Sequence, residues 1–185
     1  MPQFTAAMHH SRETLKKFTR VQYDTFESGR KAVLFLASAA LVVFGVYETA
    51  ASVLLSGVCL IAGCLLLTNL NTKADNVAAG VAEAMKGSYP VIAYQFTAHG
   101  FTDGPDRPEV PYAGLYRILC DEDYLYFFTS KASGYMVSAS SVKGGSAEDL
   151  KALVSRQSGL EWKHPVNLMN FRLKDALQFI RKSKK

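Results

Sequence analysis

Two long apolar runs, with almost nothing between them, dominate the hydrophobic pattern of this chain. Ala32 to Tyr47 (AVLFLASAALVVFGVY) carries no charge, Glu48 interrupts, and Thr49 to Thr68 (TAASVLLSGVCLIAGCLLLT) is again uncharged. Apolar residues lie all round both stretches, which predicts helices immersed in lipid instead of helices with one buried stripe. The second run has 20 residues, enough to span a hydrocarbon core of about 30 Å. The first has 16, near 24 Å, with Arg30 and Lys31 expected to snorkel and make up the difference. Each run holds nine Leu, Ile, Val or Phe residues, for an insertion energy of about −3 to −5 kcal/mol per helix. The pattern predicts a transmembrane helical hairpin over residues 32–70, with its turn around Tyr47, Glu48 and Thr49.

Within the second run, Ser52, Ser56, Cys59 and Gly63 recur at helical spacing and form a candidate helix-packing face. Ala37 and Ala40 are the small residues of the first run that could meet it, and a homodimer is the alternative use of the stripe. Ile61-Ala62-Gly63-Cys64 has the look of a lipoprotein cleavage box, but Leu65, Leu66 and Leu67 continue the helix past that cysteine, so cleavage is not expected.

On either side the pattern becomes polar. Residues 1–10 carry little signal, and His9-His10 reads as an ordinary pair near a terminus. From Ser11 to Glu27 the composition favours a basic amphipathic helix with Leu15, Phe18 and Val21 on one side, and Ser28-Gly29 marks a bend. Residues 71–87 continue the second helix as a stalk that ends at Gly87 and Pro90. The period then shortens. Val91–Thr97, Leu115–Cys120, Tyr124–Thr129 and Gly134–Ala139 read as short strands, with hairpin turns at Asp121-Glu122-Asp123 and Lys131-Ala132-Ser133. Tyr124 to Phe128 is apolar on both faces, as in a central strand covered on each side. Ser146-Ala147-Glu148-Asp149 resembles a capping box, opening a helix that buries Leu150, Leu153 and Val154 and stops at Gly159. A last basic helix is predicted near Pro165 to Lys182.

The fold class expected is therefore α+β: a transmembrane hairpin carrying a small antiparallel β domain over residues 88–160, closed by an amphipathic helix. Residues 1–31 form a basic segment before the hairpin, and 161–185 a basic segment after the β domain. The net charge of +5 sits largely at the two ends. Basic residues flank the hairpin while its turn holds only Glu48, so both termini are expected in the cytoplasm of a multi-pass cell-membrane protein. Arg172, Lys174, Arg181 and Lys182 are candidate contacts to anionic lipid headgroups. Three cysteines give no disulfide framework.

The whole order resembles the YcxB-like family of bacterial membrane proteins, over about Leu15 to Leu160. The resemblance rests on the basic N-terminal helix, the hairpin, the YRILCDEDYLYFF segment, the strand GYMVSASSV and the acidic helix start SAEDLKALV. Two positions depart from it. Val110-Pro111-Tyr112 stands where such proteins often have a tryptophan, and Val137-Ser138-Ala139-Ser140 where they often have a Pro-Lys pair, so no role of that lysine carries over. The resemblance implies a pleckstrin-homology-like β domain and no established enzymatic activity.

Candidate chemistry is sparse. Asp121, Glu122 and Asp123 read first as solvated turn residues and only second as cation ligands. His99, Asp103 and Asp106 fall near one Gly- and Pro-rich loop. No cofactor or metal is expected. The favoured reading is a non-enzymatic, membrane-tethered binding or regulatory module whose partner is a cytosolic protein or peptide, or an anionic headgroup. An inner-leaflet enzyme, or a nucleic-acid binder using the basic C-terminal helix, are the alternatives.

Overall fold

The computed structural model describes residues 3–47 and 52–165. The expected turn at Glu48 and the basic C-terminal helix, with Arg172, Lys174, Arg181 and Lys182, lie outside the described residues. The chain is mixed α and β, with antiparallel sheets, and divides into two compact units. One comprises Met1–Phe18 with Val81–Pro165, and the other Thr19–Gly80. The division falls inside two helices, α1 (Arg12–Phe26) and α4 (Thr72–Ala84).

Among the described residues the first unit holds seven strands and one complete long helix. β1 (Phe4–His9), β2 (Val91–Phe96), β3 (Gly100–Thr102) and β4 (Val110–Pro111) form one antiparallel sheet in that order. β5 (Arg117–Cys120), β6 (Tyr124–Phe128) and β7 (Gly134–Ser138) form the other. β6 is the central strand, and Leu125, Tyr126, Phe127 and Phe128 have no exposed surface. This is what two apolar faces require. The core is mostly aromatic: Phe101 lies 5.3 Å from Phe127 and 5.6 Å from Phe96 between ring centroids. α5 (Ala147–Ser158) opens with the full capping box of Ser146 and Asp149, ends on Gly159 in the left-handed conformation, and buries Leu150, Leu153 and Val154.

β1 is the largest departure from the expected pattern, since residues 1–10 carried no assigned element. It runs antiparallel to β2 from Phe4 opposite Phe96 to His9 opposite Val91, and buries Ala6 and Met8. It also touches the segment after β7: the Ser141 hydroxyl donates to the Ala7 carbonyl (2.7 Å), and Thr5 bridges Lys143. A Cβ at Gly144 (φ +93°) would run into the Gln3 carbonyl, so this crossing needs glycine.

The second unit is helical. α2 (Ser28–Tyr47) is 20 residues long and α3 (Val53–Thr68) is 16, the reverse of the lengths expected. Ser28 and Gly29 belong to α2, and the chain bends at Glu27 instead. The stalk is not a straight extension of α3. α3 stops at Thr68, its last carbonyls capped by Asn69, and α4 resumes at Thr72 at an angle of 42°. Among the described residues α2 is the one helix long and apolar enough by itself to cross a membrane; α3 reaches that length only when the bent pair α3–α4 is taken as one span.

Candidate functional site

The residues singled out for chemistry are largely absorbed by structure. Asp121 ties the β5–β6 turn together. Its Oδ1 accepts from the backbone N–H groups of Asp123 (2.9 Å) and Tyr124 (2.8 Å), and its Oδ2 accepts from the Tyr126 hydroxyl (2.8 Å) and the Lys17 ammonium (3.1 Å). Burial alone would raise the Asp121 carboxyl pKa, but donation from Tyr126, the two amides and Lys17 holds it below the usual aspartate value. Burial likewise opposes the Lys17 charge, and Asp121 with Asp123 outweighs it and raises the lysine's pKa. Lys17 also stands 4.4 Å over the Tyr124 ring. Among the described residues no three acidic, histidine or cysteine side chains are grouped to hold a metal.

His99 lies in the turn from β2 to β3, its N–H donating to the Thr97 hydroxyl, while Asp103 and Asp106 sit in the loop after β3. His10 is half-buried; its Nδ1, buried and without a hydrogen-bond partner among the described residues, belongs to a ring held by desolvation below the usual histidine pKa. A cavity of about 390 Å³ opens beside α5, lined by Cys120, Lys151, Trp162 and His164 among others. Burial pushes the Cys120 thiol up, away from the reactive thiolate. Trp162 packs edge-on to Phe127 (5.7 Å) and donates its indole N–H to the Lys151 carbonyl (3.0 Å), so it is an anchor of the core.

The helical unit is arranged differently. α2 and α3 run antiparallel through a contact of small residues, in which each helix supplies a serine and a glycine. The Ser38 hydroxyl donates to the Gly63 carbonyl and the Ser56 hydroxyl to the Gly45 carbonyl, both at 2.7 Å and both buried. A Cβ at Gly63 would stand 2.8 Å from Val42 Cγ2 and 3.1 Å from the Ser38 oxygen. Of the expected stripe, Ser56, Cys59 and Gly63 are buried in this contact. Ser52 is not on it; it caps α3, accepting from the Leu55 N–H. On α2 the facing residues are Ser38 and Gly45, whereas Ala37 and Ala40 point outward.

A group of charges gathers where α1 ends, α2 begins and α3 gives way to α4. Lys31, expected to snorkel, is buried, and its ammonium donates to Asp24 and to the side-chain amide Oδ1 of Asn71 (2.7 Å). Arg20 makes a two-pronged pair with Asp75, both arms 2.7 Å. That pairing, set against some burial of the guanidinium, raises the Arg20 pKa. Lys73 reaches Glu27 (2.8 and 3.1 Å) and lies 5.0 Å over the Tyr23 ring. A cavity of about 390 Å³ opens here, bounded by Tyr23, Glu27, Arg30, Lys31 and Lys73 and by Leu34 and Leu70 on its apolar side.

The serine–glycine contact was half legible, because small residues at helical spacing announce a close approach. The charged group was not, because Asp24, Lys31 and Asn71 belong to separate elements. Comparison of the chain with family models, with curated proteins and with solved structures finds no match.

Proposed function

We propose that this chain is an integral membrane protein whose α2–α3 pair is a two-crossing hairpin, presenting the β unit in the cytoplasm as a non-enzymatic binding or regulatory module. The observation that carries the reading is the pairing of β1 with β2. His9 and Val91 stand opposite each other in one ladder, and all four helices from α1 to α4 come between them in sequence. A chain that leaves a sheet and returns to the neighbouring strand is back on the side it left, so it crosses a bilayer an even number of times. Two crossings meet this condition; one does not.

The surface of the pair supports immersion in lipid. Val33, Leu36, Val43, Val53, Leu54 and Ile61 are 64–80% exposed, whereas the hydroxyls of Ser38 and Ser56 are turned inward and satisfied. That is apolar outside and polar inside, as hydrocarbon demands and water does not. α3 is short, near 24 Å, a mismatch that local thinning or the bent continuation into α4 absorbs. Basic flanks and the lone Glu48 between the runs support an orientation with both termini inside.

The four-plus-three strand arrangement followed by an amphipathic helix supports a pleckstrin-homology-like unit, with the helices inserted between its first two strands. The YcxB-like resemblance is part of the same proposal. A partner that is a cytosolic protein, a peptide or an anionic headgroup fits a unit whose conspicuous acid and thiol, Asp121 and Cys120, are tied into the fold. Topology is tested by placing a cysteine at Glu48 in a chain with Cys59, Cys64 and Cys120 replaced by alanine. A membrane-impermeant maleimide should label it in intact cells. Labelling that needs lysis would overturn the orientation.

A further inference from the structure

We propose that the cavity between the end of α1, the start of α2 and the α3–α4 junction seats the phosphate of an acidic phospholipid headgroup, on Arg30 and Lys73. The inference rests on the membrane reading above and names a ligand for the helical unit.

Charge is the first argument. Among the described residues three cations, Arg30, Lys31 and Lys73, line the cavity against one carboxylate, Glu27. Lys31 is already neutralised by Asp24 from behind. Glu27 engages Lys73 closely, but its oxygen is 4.0 Å from Arg30, whose side chain is 63% exposed. One positive charge is therefore in surplus, and it is held on the exposed, forked side chain best suited to a phosphate. A phosphodiester carries the matching single negative charge.

Position is the second argument. The cavity lies at the polar end of the apolar helices, one turn before Ser38 on α2 and just past Thr68 on α3. Leu34 and Leu70 form its apolar side, and from there an exposed flank of α2 continues through Ala37 and Phe44, which follow Leu34 at helical spacing. A ligand with a phosphate at one end and hydrocarbon at the other fits both surfaces, whereas a soluble phosphate compound would use only the first. Basic pockets between membrane helices on the cytoplasmic side take anionic headgroups for this reason. Tyr23, whose ring already lies under Lys73, adds an amphipathic wall suited to the interface.

The test uses the full-length protein in neutral detergent, titrated with short-chain phosphatidylglycerol or with the matched phosphatidylcholine. Bound lipid is counted by native mass spectrometry, and thermal unfolding is followed in parallel. Phosphatidylglycerol should be retained in preference to phosphatidylcholine. Arg30→Gln with Lys73→Gln should weaken that retention by about thirtyfold, about fivefold for each cation lost near a headgroup. Arg156→Gln with Lys163→Gln, the same loss of two charges in the other unit, should change nothing. Glu27→Gln removes the competing carboxylate and should tighten phosphatidylglycerol binding, a gain that misfolding cannot imitate. Equal retention of the two lipids, or a Glu27→Gln protein that binds no more tightly, would overturn the site. Stabilisation by glycerol 3-phosphate as large as that by phosphatidylglycerol would overturn the lipid as its source. Release of the wild-type protein from membranes by alkaline carbonate would instead defeat the membrane reading itself.

Discussion

Asp121 shows how one side chain serves an entire turn. It receives four donors, two from its own hairpin, one from Tyr126 and one from Lys17 on α1. Because its folded pKa lies below the unfolded one, the unfolded chain binds the proton more readily, and stability falls on acidification. The contribution is complete above the ordinary aspartate value and is lost as pH drops through the lower folded value. Asp121→Asn keeps the shape and removes the charge. It should cost about 1–2 kcal/mol at neutral pH, as hydrogen bonds to a charged group at a part-exposed site do, and should flatten the unfolding profile below pH ~4. Thermal unfolding from pH 2 to 7 reads both effects, and an unchanged acid limb would show that the four donors do not favour the carboxylate. Phe127 tests a different force. It has no exposed surface and meets Phe96, Phe101 and Trp162. Phe127→Ala should cost about 3–5 kcal/mol by the cavity it leaves, and a small loss would mean that the core closes over the gap.

Among the elements, the α2–α3 pair is set by approach distance. At Gly63 an added Cβ meets the Ser38 carbonyl oxygen and Val42, and a backbone oxygen cannot swing aside. Gly57, one turn and a half earlier on the same helix, has nothing within 4 Å. Gly63→Val should therefore loosen the pair by about 1–3 kcal/mol, while Gly57→Ala should be neutral or stabilising by up to about 1 kcal/mol. Unfolding of the detergent-solubilised protein separates the two, and equal effects would refute close packing at Gly63. These elements also show what a sequence reveals. β6 was legible because both its faces are apolar, and α5 because Ser146, Asp149 and Gly159 are local signals. β1 was not, although Phe4, Ala6 and Met8 alternate with Thr5, Ala7 and His9. Two of its residues are alanines of low strand propensity, and its partner β2 lies beyond four helices. The α3–α4 break was missed because Asn69, Leu70 and Asn71 hold neither glycine nor proline; the turn is made by Asn69 capping α3 and by Asn71 accepting from Lys31.

For the molecule as a whole, the placement of β1 changes what counts as an independent piece. The sequence suggests a soluble domain over residues 88–160, yet the compact unit draws on Met1–Phe18 as well. Without that segment β2 loses a six-residue ladder along one edge, and the core loses Met8 and Ala6. Phe18 is lost too, a ring stacked on Phe128 at 5.7 Å and on Tyr126 at 6.4 Å. Each of these leaves apolar surface or unpaired backbone groups open to water, and an uncovered strand edge promotes association between chains. A fragment of residues 88–165 should therefore be poorly soluble or lack a cooperative transition. Residues 81–165 co-expressed with a peptide of residues 1–18 should recover one, with the two pieces co-purifying. Changing Met8 to Asp in that peptide should abolish the recovery, because a charge would replace a side chain with 1% exposure. Size-exclusion chromatography and urea unfolding decide the matter. Cooperative unfolding of the 88–165 fragment alone would mean that the core closes without β1.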